Sequence, residues 1–338
     1  MVIKRIGFAC KWSEINKKGE ISSVEGLNTG GTTLAWARRN NRAKVEEKIM
    51  DVAKQNIMNT HNLVKKVATL PEPLRMLRIT SDMLSFYTHE DYKYFWHNPY
   101  IQNLLEHWMA PIGETARKNN VRLSFHPDQF VVLASDRDEV VNKSIEEFEY
   151  HADMARWMGY GKSFQDFKIN VHIAGRRGPA GIREAYKRLS VEARNGLTIE
   201  NEEMSHGLDD CLTLSDLLPI VLDIHHHFIH SGEYIQKDDR RIEQVINSWK
   251  GVRPTIHYSV SREEYLTNHD PNILPDRQLL IESGLNKQKL RAHSDYMWSN
   301  AVNNWAKTHW EWADVMVEAK AKNLASFKLF EYWKSLEM

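Results

Sequence analysis

The sequence predicts an α/β protein built as one (β/α)8 barrel, the TIM barrel. Short apolar stretches of the kind that form buried parallel strands alternate with amphipathic helical patterns, and eight such strands occur along the chain. Alternation of strands and helices favours a parallel sheet with right-handed crossovers, and eight strands favour closure into a barrel over an open sheet. The 338 residues are many for an ordinary domain but suit a single barrel.

The first half of the chain predicts four strands separated by long helices. Helical spacing of apolar side chains predicts helices at residues 42–67, 103–119 and 138–158. Pro71 and Pro73 end the first helix, and Pro127 follows the third strand directly after His126, because proline cannot continue a hydrogen-bonded ladder. The four strands are predicted at residues 2–9, 76–79, 121–125 and 167–171.

The second half of the chain repeats the alternation. A long insertion at residues 261–295 follows the seventh strand, and the segment that holds Phe330 and Trp333 forms a closing helix. The sequence shows no linker, repeat or low-complexity tract, so we predict one domain over residues 1–338. The strands are predicted at residues 196–199, 220–223, 254–256 and 314–317, and the helices at 178–194, 209–218, 239–249 and 298–312.

The composition indicates a soluble intracellular protein. Lysine plus arginine and aspartate plus glutamate both number 45, so the net charge neither supports nor excludes a nucleic-acid partner. Cys10 and Cys211 are too few for a disulfide framework or a cysteine-rich zinc site, and they suit a reducing compartment. Without a signal-peptide pattern or an apolar run of about 18 residues, we predict a cytoplasmic location, no membrane contact and no obligate protein partner.

Histidine or carboxylate side chains stand at the carboxyl ends of the third to eighth predicted strands. In a TIM barrel these ends converge on one face, where barrel enzymes place their chemistry. Each histidine alone is more often a half-buried structural residue, so the shared position is what indicates a site. The strand ends carry, in order, His126, His172, Glu200, Asp223 with His226, His257 and Glu318, and the loops after the second and seventh strands add His89 and His293.

These residues predict a cluster of divalent metal ions at the barrel face. Three carboxylates and up to six histidines would repel one another and lose hydration unless a cation compensates them. Imidazole and carboxylate ligands without thiolate favour Mn²⁺, Zn²⁺ or Fe²⁺, and nine candidate ligands imply two or three ions with Glu200 as a bridge. Clustered ions suit hydrolysis of a phosphodiester by metal-activated water, and sugar isomerisation on a similar barrel is the competing use.

The end of the sixth strand leaves two arrangements open. Side chains alternate along an extended strand, so Asp223 and His225 would share one face. His226 reaches the site only if the strand breaks just after Asp223, which a loop at the strand end permits.

Several short blocks of the sequence resemble the UV damage endonuclease (UvdE) family, which is related to the endonuclease IV and xylose isomerase barrels. The similarity extends from Gly7 to Lys320 and is strongest at residues 122–130, 171–172, 200–202, 223–227, 256–259 and 313–320. The resemblance implies a metal-dependent DNA repair enzyme that nicks damaged double-stranded DNA immediately 5′ to a lesion such as a pyrimidine dimer. It implies Mn²⁺ as the ion, with Zn²⁺ or Mg²⁺ as alternatives.

The resemblance also implies roles for individual residues. Gln129 and Phe130 fall where the family wedges two side chains into the duplex, and Phe8 and Trp12 fall beside the lesion. Arg176, Arg177 and Lys320 are candidate phosphate contacts, with solvated surface charge as the alternative. Glu200, Asp223 and Glu318 would be catalytic. The implied metal ligands are His89, His126, His172, Glu200, Asp223, His226, His257, His293 and Glu318.

The sequence departs from the family pattern in three places. The family has a lysine, which is carboxylated to act as a metal ligand, two residues before the seventh-strand histidine, and this chain has Thr255 there. Trp12 replaces an asparagine, and Phe130 replaces a tyrosine. Because threonine cannot be carboxylated, either a third metal is held differently or the site holds fewer ions, and a catalytically silent protein that binds damaged DNA stays an alternative. A sugar isomerase or epimerase of the same barrel class is the other alternative.

Overall fold

The computed structural model describes residues 3–266 and 268–337, and within them it shows the predicted barrel. Eight parallel strands form one sheet in which consecutive strands lie side by side. The α/β TIM-barrel prediction is therefore confirmed. We label the strands in chain order: β1 Ile6–Ala9, β2 Met76–Arg78, β3 Arg122–Phe125, β4 Lys168–His172, β5 Leu197–Glu200, β6 Ile220–Val221, β7 Thr255–Tyr258 and β8 Asp314–Val317.

The sheet closes on itself between β6 and β7. Its hydrogen-bonded order is β6-β5-β4-β3-β2-β1-β8-β7, with β1 paired to both β2 and β8. The two remaining edges meet through a parallel bridge between Asp223 and His257, where the His257 amide donates to the Leu222 carbonyl at 3.0 Å. Closure brings the carboxyl ends of the strands to one rim, as a site at that face requires.

Helices surround the barrel and connect its strands. Two 3₁₀ turns lie at Glu72–Leu74 and Glu263–Tyr265, and an antiparallel pair, Ser13–Ile15 with Ile21–Ser23, follows β1. None of the described helices is long and apolar enough to cross a membrane. The helices are Leu34–Ala37, Arg42–Ala68, Lys93–Trp96, Pro99–Lys118, Asp138–Trp157, Gly178–Arg188, Val191–Gly196, Leu208–Leu212, Ile224–Ser231, Arg240–Ser248, Arg277–Glu282, Lys287–Leu290, Asn300–His309 and Asn323–Ser335.

Capping residues explain where helix boundaries differ from the predicted ones. The helix predicted at residues 178–194 is two helices, because Leu189 is extended and the Ser190 hydroxyl caps a second helix by accepting from the Ala193 amide at 3.1 Å. The helix predicted from residue 103 begins earlier, at Pro99, where Asn98 is the cap. The first strand begins at Ile6, and Val2 of the predicted strand lies outside the described residues.

The sixth strand is shorter than predicted, and a helix replaces its expected end. β6 stops at Val221, and the helix Ile224–Ser231 starts three residues later with Asp223 as its N-cap. The Asp223 Oδ1 accepts from the amides of His225 at 2.8 Å and His226 at 2.7 Å. Aspartate is among the strongest helix caps, and this local signal was available in the sequence.

The two ends of the insertion predicted at residues 261–295 lie side by side at the carboxyl end of the barrel. Ser261 and His293 form an antiparallel bridge, and the Ser261 hydroxyl donates to the Leu290 carbonyl at 2.6 Å. This closed base holds His293 at the rim, beside the end of β7. That the whole chain forms one domain stays a prediction.

The amino ends of the strands carry a closed ion-pair cluster, which we call the amino-end cluster: Arg5, Arg122, Arg253 and Asp314. Asp314 is fully buried at the start of β8. Its Oδ1 accepts from the Arg5 amide at 2.9 Å and from Arg253 Nε at 2.8 Å, and its Oδ2 accepts from Arg122 Nη1 at 2.7 Å. Both carboxylate oxygens are therefore satisfied, far from the rim at the other end.

Candidate metal centre

Six of the nine predicted ligands meet at the carboxyl rim. They form three overlapping groups, and in each group one ligand atom from every residue lies within 4.8 Å of the others. Because the groups share members, they describe one centre, which we call the rim cluster. The groups are His126, His172 and Glu200; Glu200, Asp223 and His257; and His126, His257 and Glu318.

Glu200 lies at the middle of the rim cluster. It is fully buried at the end of β5, and its Oε2 lies 3.2 Å from His126 Nε2 and 3.0 Å from His257 Nδ1. The Asn170 amide donates to the same oxygen. Burial alone would raise the pKa of Glu200, but the neighbouring histidines, His257 above all, hold that pKa well below its usual value. Glu200 is therefore a carboxylate in the position that a bridging ligand would occupy.

Three atoms of the rim cluster are buried without a hydrogen-bond partner among the described residues. They are Oε1 of Glu200, Oδ2 of Asp223 and Nδ1 of His257, one from each member of a single group. His257 Nδ1 lies 3.0 Å from the other oxygen of Glu200 without the alignment of a hydrogen bond. Buried unpaired polar atoms are costly, and a cation held by all three would remove that cost. The residues present therefore fit a metal site with nitrogen and oxygen ligands.

The N-cap of the helix Ile224–Ser231 directs Asp223 and His226 to the rim. With Oδ1 of Asp223 engaged by two amides, Oδ2 faces the cluster. Nδ1 of His226 lies 3.1 Å from the Asn201 carbonyl and 3.5 Å from Glu200 Oε1. Burial would lower the pKa of His226, but Asp223, Glu200 and Glu203 raise it to about 9. The other histidines of the run face elsewhere, His225 to the Leu290 carbonyl and His227 to Glu233.

An ionised Asp223 is unfavourable unless a cation compensates its charge. Burial raises the pKa of Asp223 well above its usual value, and His226 opposes this shift only in part. Glu200 and Glu318 add to the shift because they are negative charges nearby. Because His226 and Arg78 offset the charges of Glu200 and Glu318, an ionised Asp223 would leave one buried negative charge uncompensated, which again fits a bound cation.

Glu318 joins the rim cluster to two neighbours. Its Oε1 lies 3.3 Å from His257 Nδ1 and accepts a hydrogen bond from Arg78 Nη1, and its Oε2 lies 3.9 Å from His293 Nδ1. Burial would raise the pKa of Glu318, but Arg78 and His257 hold it well below its usual value. His293 thus stands at the edge of the cluster, where it remains partly exposed.

His89 lies apart from these groups. Its ring packs against Phe86 and Tyr92, and its Nδ1 lies 3.8 Å from Asp91. The three groups of the rim cluster do not include it. Of the nine predicted ligands, the structure therefore brings eight to the centre or its edge and leaves His89 on the neighbouring loop.

Four residues that the sequence analysis did not select also contact the centre. Asn170 and Arg78 donate to carboxylates, as described above. Glu203 lies 3.7 Å from His226 Nε2 and is held by Arg291 of the insertion at 2.7 Å. Lys168, at the start of β4, places Nζ 2.9 Å from His257 Nε2. Only Glu203 had a sequence signal, the adjacent acids after Glu200, because the others are buried in the barrel among apolar neighbours.

Thr255 stands where the family has a lysine, and Lys168 is a lysine on another strand beside the same centre. Thr255 is fully buried at the start of β7, and its hydroxyl has no partner among the described residues. The structure thus has no lysine on β7 beside the centre and has one on β4 instead. Burial, which disfavours the ammonium, lowers the pKa of Lys168 to about 7.

The residues predicted to contact a lesion fall into two sets. Phe130 is 78% exposed in the loop after β3, next to the exposed Gln129. Phe8 and Trp12 are buried and pack edge to face on each other and on Phe327. In this conformation the loop aromatic is available to a nucleobase, and the two buried rings are not.

The candidate phosphate contacts are surface residues. Arg176 is largely exposed and lies 3.2 Å from Asp136, and Arg177 is paired with Glu184. Lys320 is exposed two residues after Glu318, and its amide donates to the Ser294 carbonyl at 3.1 Å. All three follow strand ends of the barrel, which places them on the side of the rim cluster.

Comparison with known proteins identifies the relatives of this chain. The family model described as UV-endonuclease UvdE matches residues 4–338. A UV DNA damage endonuclease from Bacillus velezensis is 26% identical over 313 residues, which cover 88% of this chain and 87% of the relative.

Two solved structures share the fold. The crystal structure of SacUVDE superposes with a TM-score of 0.72 at 24% identity, covering 98% of this chain and 99% of that protein. The endonuclease IV of Thermus thermophilus gives a TM-score of 0.53 at 13% identity, covering 81% of this chain and 94% of that one.

Proposed function

Because the chain belongs to the UV-endonuclease UvdE family, we propose that it is a metal-dependent DNA repair endonuclease. It cuts the phosphodiester immediately 5′ to a UV lesion, such as a pyrimidine dimer, in double-stranded DNA. The observation that carries this proposal is the rim cluster, in which three ligand atoms at the mouth of the barrel have no partner among the described residues. Buried polar atoms without partners persist at functional sites because a ligand completes them.

The proposed cofactor is a set of two or three divalent ions, with Mn²⁺ as the best match. Carboxylate oxygens suit Mn²⁺, and imidazole nitrogens are compatible with it, whereas thiolates are absent from the rim cluster. When bound, such ions lower the pKa of a coordinated water and offset the charge of the phosphate. Zn²⁺ and Mg²⁺ are the alternatives that a metal titration would compare.

Protein side chains orient the three carboxylates that are proposed to be catalytic. Glu200, Asp223 and Glu318 supply the charge that would hold the ions, and Arg78 keeps Glu318 ionised by donating to it. Asn170 fixes the Glu200 carboxylate through its amide. Each catalytic carboxylate is therefore oriented by a neighbour before substrate arrives, which lowers the reorganisation needed during reaction.

Recognition of damage is proposed to come from DNA deformability. A lesion weakens stacking, and an exposed ring can enter the space left by displaced bases. The exposure of Phe130 and Gln129 in the loop after β3 supports this role for the two side chains. Arg176, Arg177 and Lys320 would contact phosphates and so fix the register of the duplex.

The proposal is tested with two labelled duplexes that differ only by one cyclobutane dimer. The protein is incubated with Mn²⁺ and each duplex, and products are separated on a sequencing gel to locate the cut. Nicking directly 5′ to the dimer, absent from the undamaged duplex and from Glu200→Gln, is the expected result. The Glu331→Gln variant, on the exposed face of the closing helix, is the matched control.

Other outcomes would replace the proposal. Specific binding of the dimer duplex without nicking under any of the three metals would indicate a damage-binding protein. Neither binding nor nicking, together with Mn²⁺-dependent conversion of a sugar, would indicate an isomerase of the same barrel class.

A further inference from the structure

Lys168 is a buried lysine beneath the rim cluster. It is the first residue of β4, its side chain points into the barrel, and only 3% of its surface is exposed. Lysine is rarely buried to this degree unless a partner compensates it. Its Nζ lies 2.9 Å from Nε2 of His257.

The contact determines which way the His257 ring faces. The two ring nitrogens of histidine lie on different edges, so holding one of them sets the direction of the other. With Nε2 against Lys168, Nδ1 lies 3.0 Å from Glu200 and 3.3 Å from Glu318. Metal-binding histidines are commonly oriented in this way through their second nitrogen.

We propose that Lys168 is a positioning residue for His257, which holds the ring so that Nδ1 faces the metal centre. The inference rests on the proposed function, since it takes the rim cluster as the place where ions bind. The 2.9 Å contact between Nζ and Nε2 requires one hydrogen between the two atoms, whichever of them carries it, so the contact itself leaves Nδ1 as the nitrogen that faces the centre. Lys168 acts through His257 and touches no substrate.

Thr255 is a position at which a lysine could be introduced so that its amine approaches His257 from β7 instead of β4. It lies two residues before His257 on β7, so both side chains point to the same face. Its buried hydroxyl has no hydrogen-bond partner among the described residues. A lysine at position 255 would start about 7 Å below His257 and extend toward the same ring.

Three variants test the proposal: Lys168→Met, Lys168→Met with Thr255→Lys, and Thr255→Val as the control. Mn²⁺ affinity and stoichiometry are measured by calorimetry, and ligand geometry by the visible absorption of bound Co²⁺. We expect Lys168→Met to weaken Mn²⁺ binding about 10- to 100-fold, as is typical when a metal ligand loses its orienting partner. The double variant should recover most of the affinity and the Co²⁺ spectrum at the wild-type stoichiometry, and Thr255→Val should keep both. A stoichiometry above that of wild type would show that the added lysine is itself a ligand, as the family's lysine is, and would count against the proposal.

Unchanged Mn²⁺ affinity in Lys168→Met would overturn the proposal. A double variant that folds and still binds Mn²⁺ weakly would also overturn it. If Lys168 only filled space, methionine would serve as well, and a lysine on another strand would restore nothing. A measurement on the wild-type protein is independent of variant folding: nitrogen-15 imidazole shifts with Zn²⁺ bound should place the metal on Nδ1 of His257 and the hydrogen on Nε2. The reverse assignment would overturn the proposal.

The nicking assay separates this inference from the proposed function. A wild-type protein that binds Mn²⁺ through this arrangement and never nicks DNA would refute the function and leave the role of Lys168 standing. A Lys168→Met variant that binds metal and nicks like wild type would refute the role of Lys168 alone.

Discussion

The two ends of the barrel both bury carboxylates, and they treat them in opposite ways. At the amino end, Asp314 is surrounded by Arg5, Arg122 and Arg253, and both of its oxygens accept hydrogen bonds. At the rim, Glu200 and Asp223 each keep one buried oxygen without a partner among the described residues. Among the described residues, the carboxylate of Asp314 is therefore fully paired, whereas each of the two rim carboxylates has an oxygen that could bind a cation.

The difference separates a structural ion pair from a binding site. A buried charge that the protein itself neutralises contributes to the integrity of the fold, and removing its partner leaves an uncompensated charge. A cluster that lacks positive charge costs stability until a ligand arrives. The amino-end cluster is therefore a structural ion pair, and the rim cluster is the candidate metal site.

The largest expected effect is on activity, from Glu200→Gln. The amide keeps the size of the side chain and removes the charge at the centre of the rim cluster, so we expect nicking to fall by at least about 1000-fold. The unfolding free energy should fall by less than in an Asp314 variant, because the amide oxygen still accepts from Asn170 although the charge that the histidines stabilise is lost. Initial rates on the dimer duplex and urea unfolding measure the two quantities. Loss of stability similar to that of an Asp314 variant would contradict the comparison.

The next effect is on stability, from Asp314→Asn. This change leaves three arginines around a neutral amide, and breaking a buried ion pair in this way costs about 3–5 kcal/mol. Denaturant unfolding should show that loss, while the folded variant should bind Mn²⁺ as wild type does. A variant with normal stability and weak metal binding would show that the two ends are coupled.

His151 is a buried residue outside both clusters, and both of its ring nitrogens have hydrogen-bond partners. Its Nδ1 donates to the Glu147 carbonyl and its Nε2 accepts from Ser81 Oγ, both at 2.7 Å. Burial lowers the pKa of His151 from 6.5 to about 4. Between these pH values His151 therefore binds more protons in the unfolded chain than in the folded one. Its contribution to the free energy of unfolding is fully present above pH 6.5 and is lost as the pH falls toward 4.

We expect this histidine to contribute on the order of 3 kcal/mol to that loss. Unfolding by urea at a series of pH values should show a shallower pH dependence for His151→Gln than for wild type. Identical slopes in the two proteins would show that His151 stays neutral on unfolding or is charged when folded.

Metal addition should stabilise the protein through the rim cluster. A ligand that binds only the folded state adds about 2.7 kcal/mol at 100 times its dissociation constant. Thermal unfolding with increasing Mn²⁺ should shift upward for wild type and for Asp314→Asn, and chelation should reverse the shift. Glu200→Gln should respond weakly, and an equal response would place the ions elsewhere.

The smallest expected effect is that of Phe130→Ala. Stacking of an aromatic ring on a base is worth about 1–3 kcal/mol, so affinity for the dimer duplex should fall by that amount. Stability should not change, because the ring is 78% exposed. Tyr100→Ala, at a position 73% exposed on an outer helix, is the matched control. Equal losses in the two variants would remove the specific role of Phe130.

The sequence by itself determined the barrel and the residues at its strand ends. Apolar strands alternating with helices leave little choice of topology, and parallel strands bring equivalent ends to one rim whatever the details of packing. His126, His172, Glu200, His257 and Glu318 could therefore be assigned to one face before any distance was known. Helix boundaries were less predictable, since they depend on caps such as Ser190 and Asp223.

Tertiary structure decided which atoms meet. The helix that begins after Asp223 turns His226 inward, and closure of the barrel between β6 and β7 brings Asp223 beside His257. The partnership of Lys168 with His257 joins strands 89 residues apart, and a lysine in a short apolar run carries no local sign of it. Side-chain direction and long-range proximity follow from packing of the whole chain, whereas strand order and strand ends follow from local pattern.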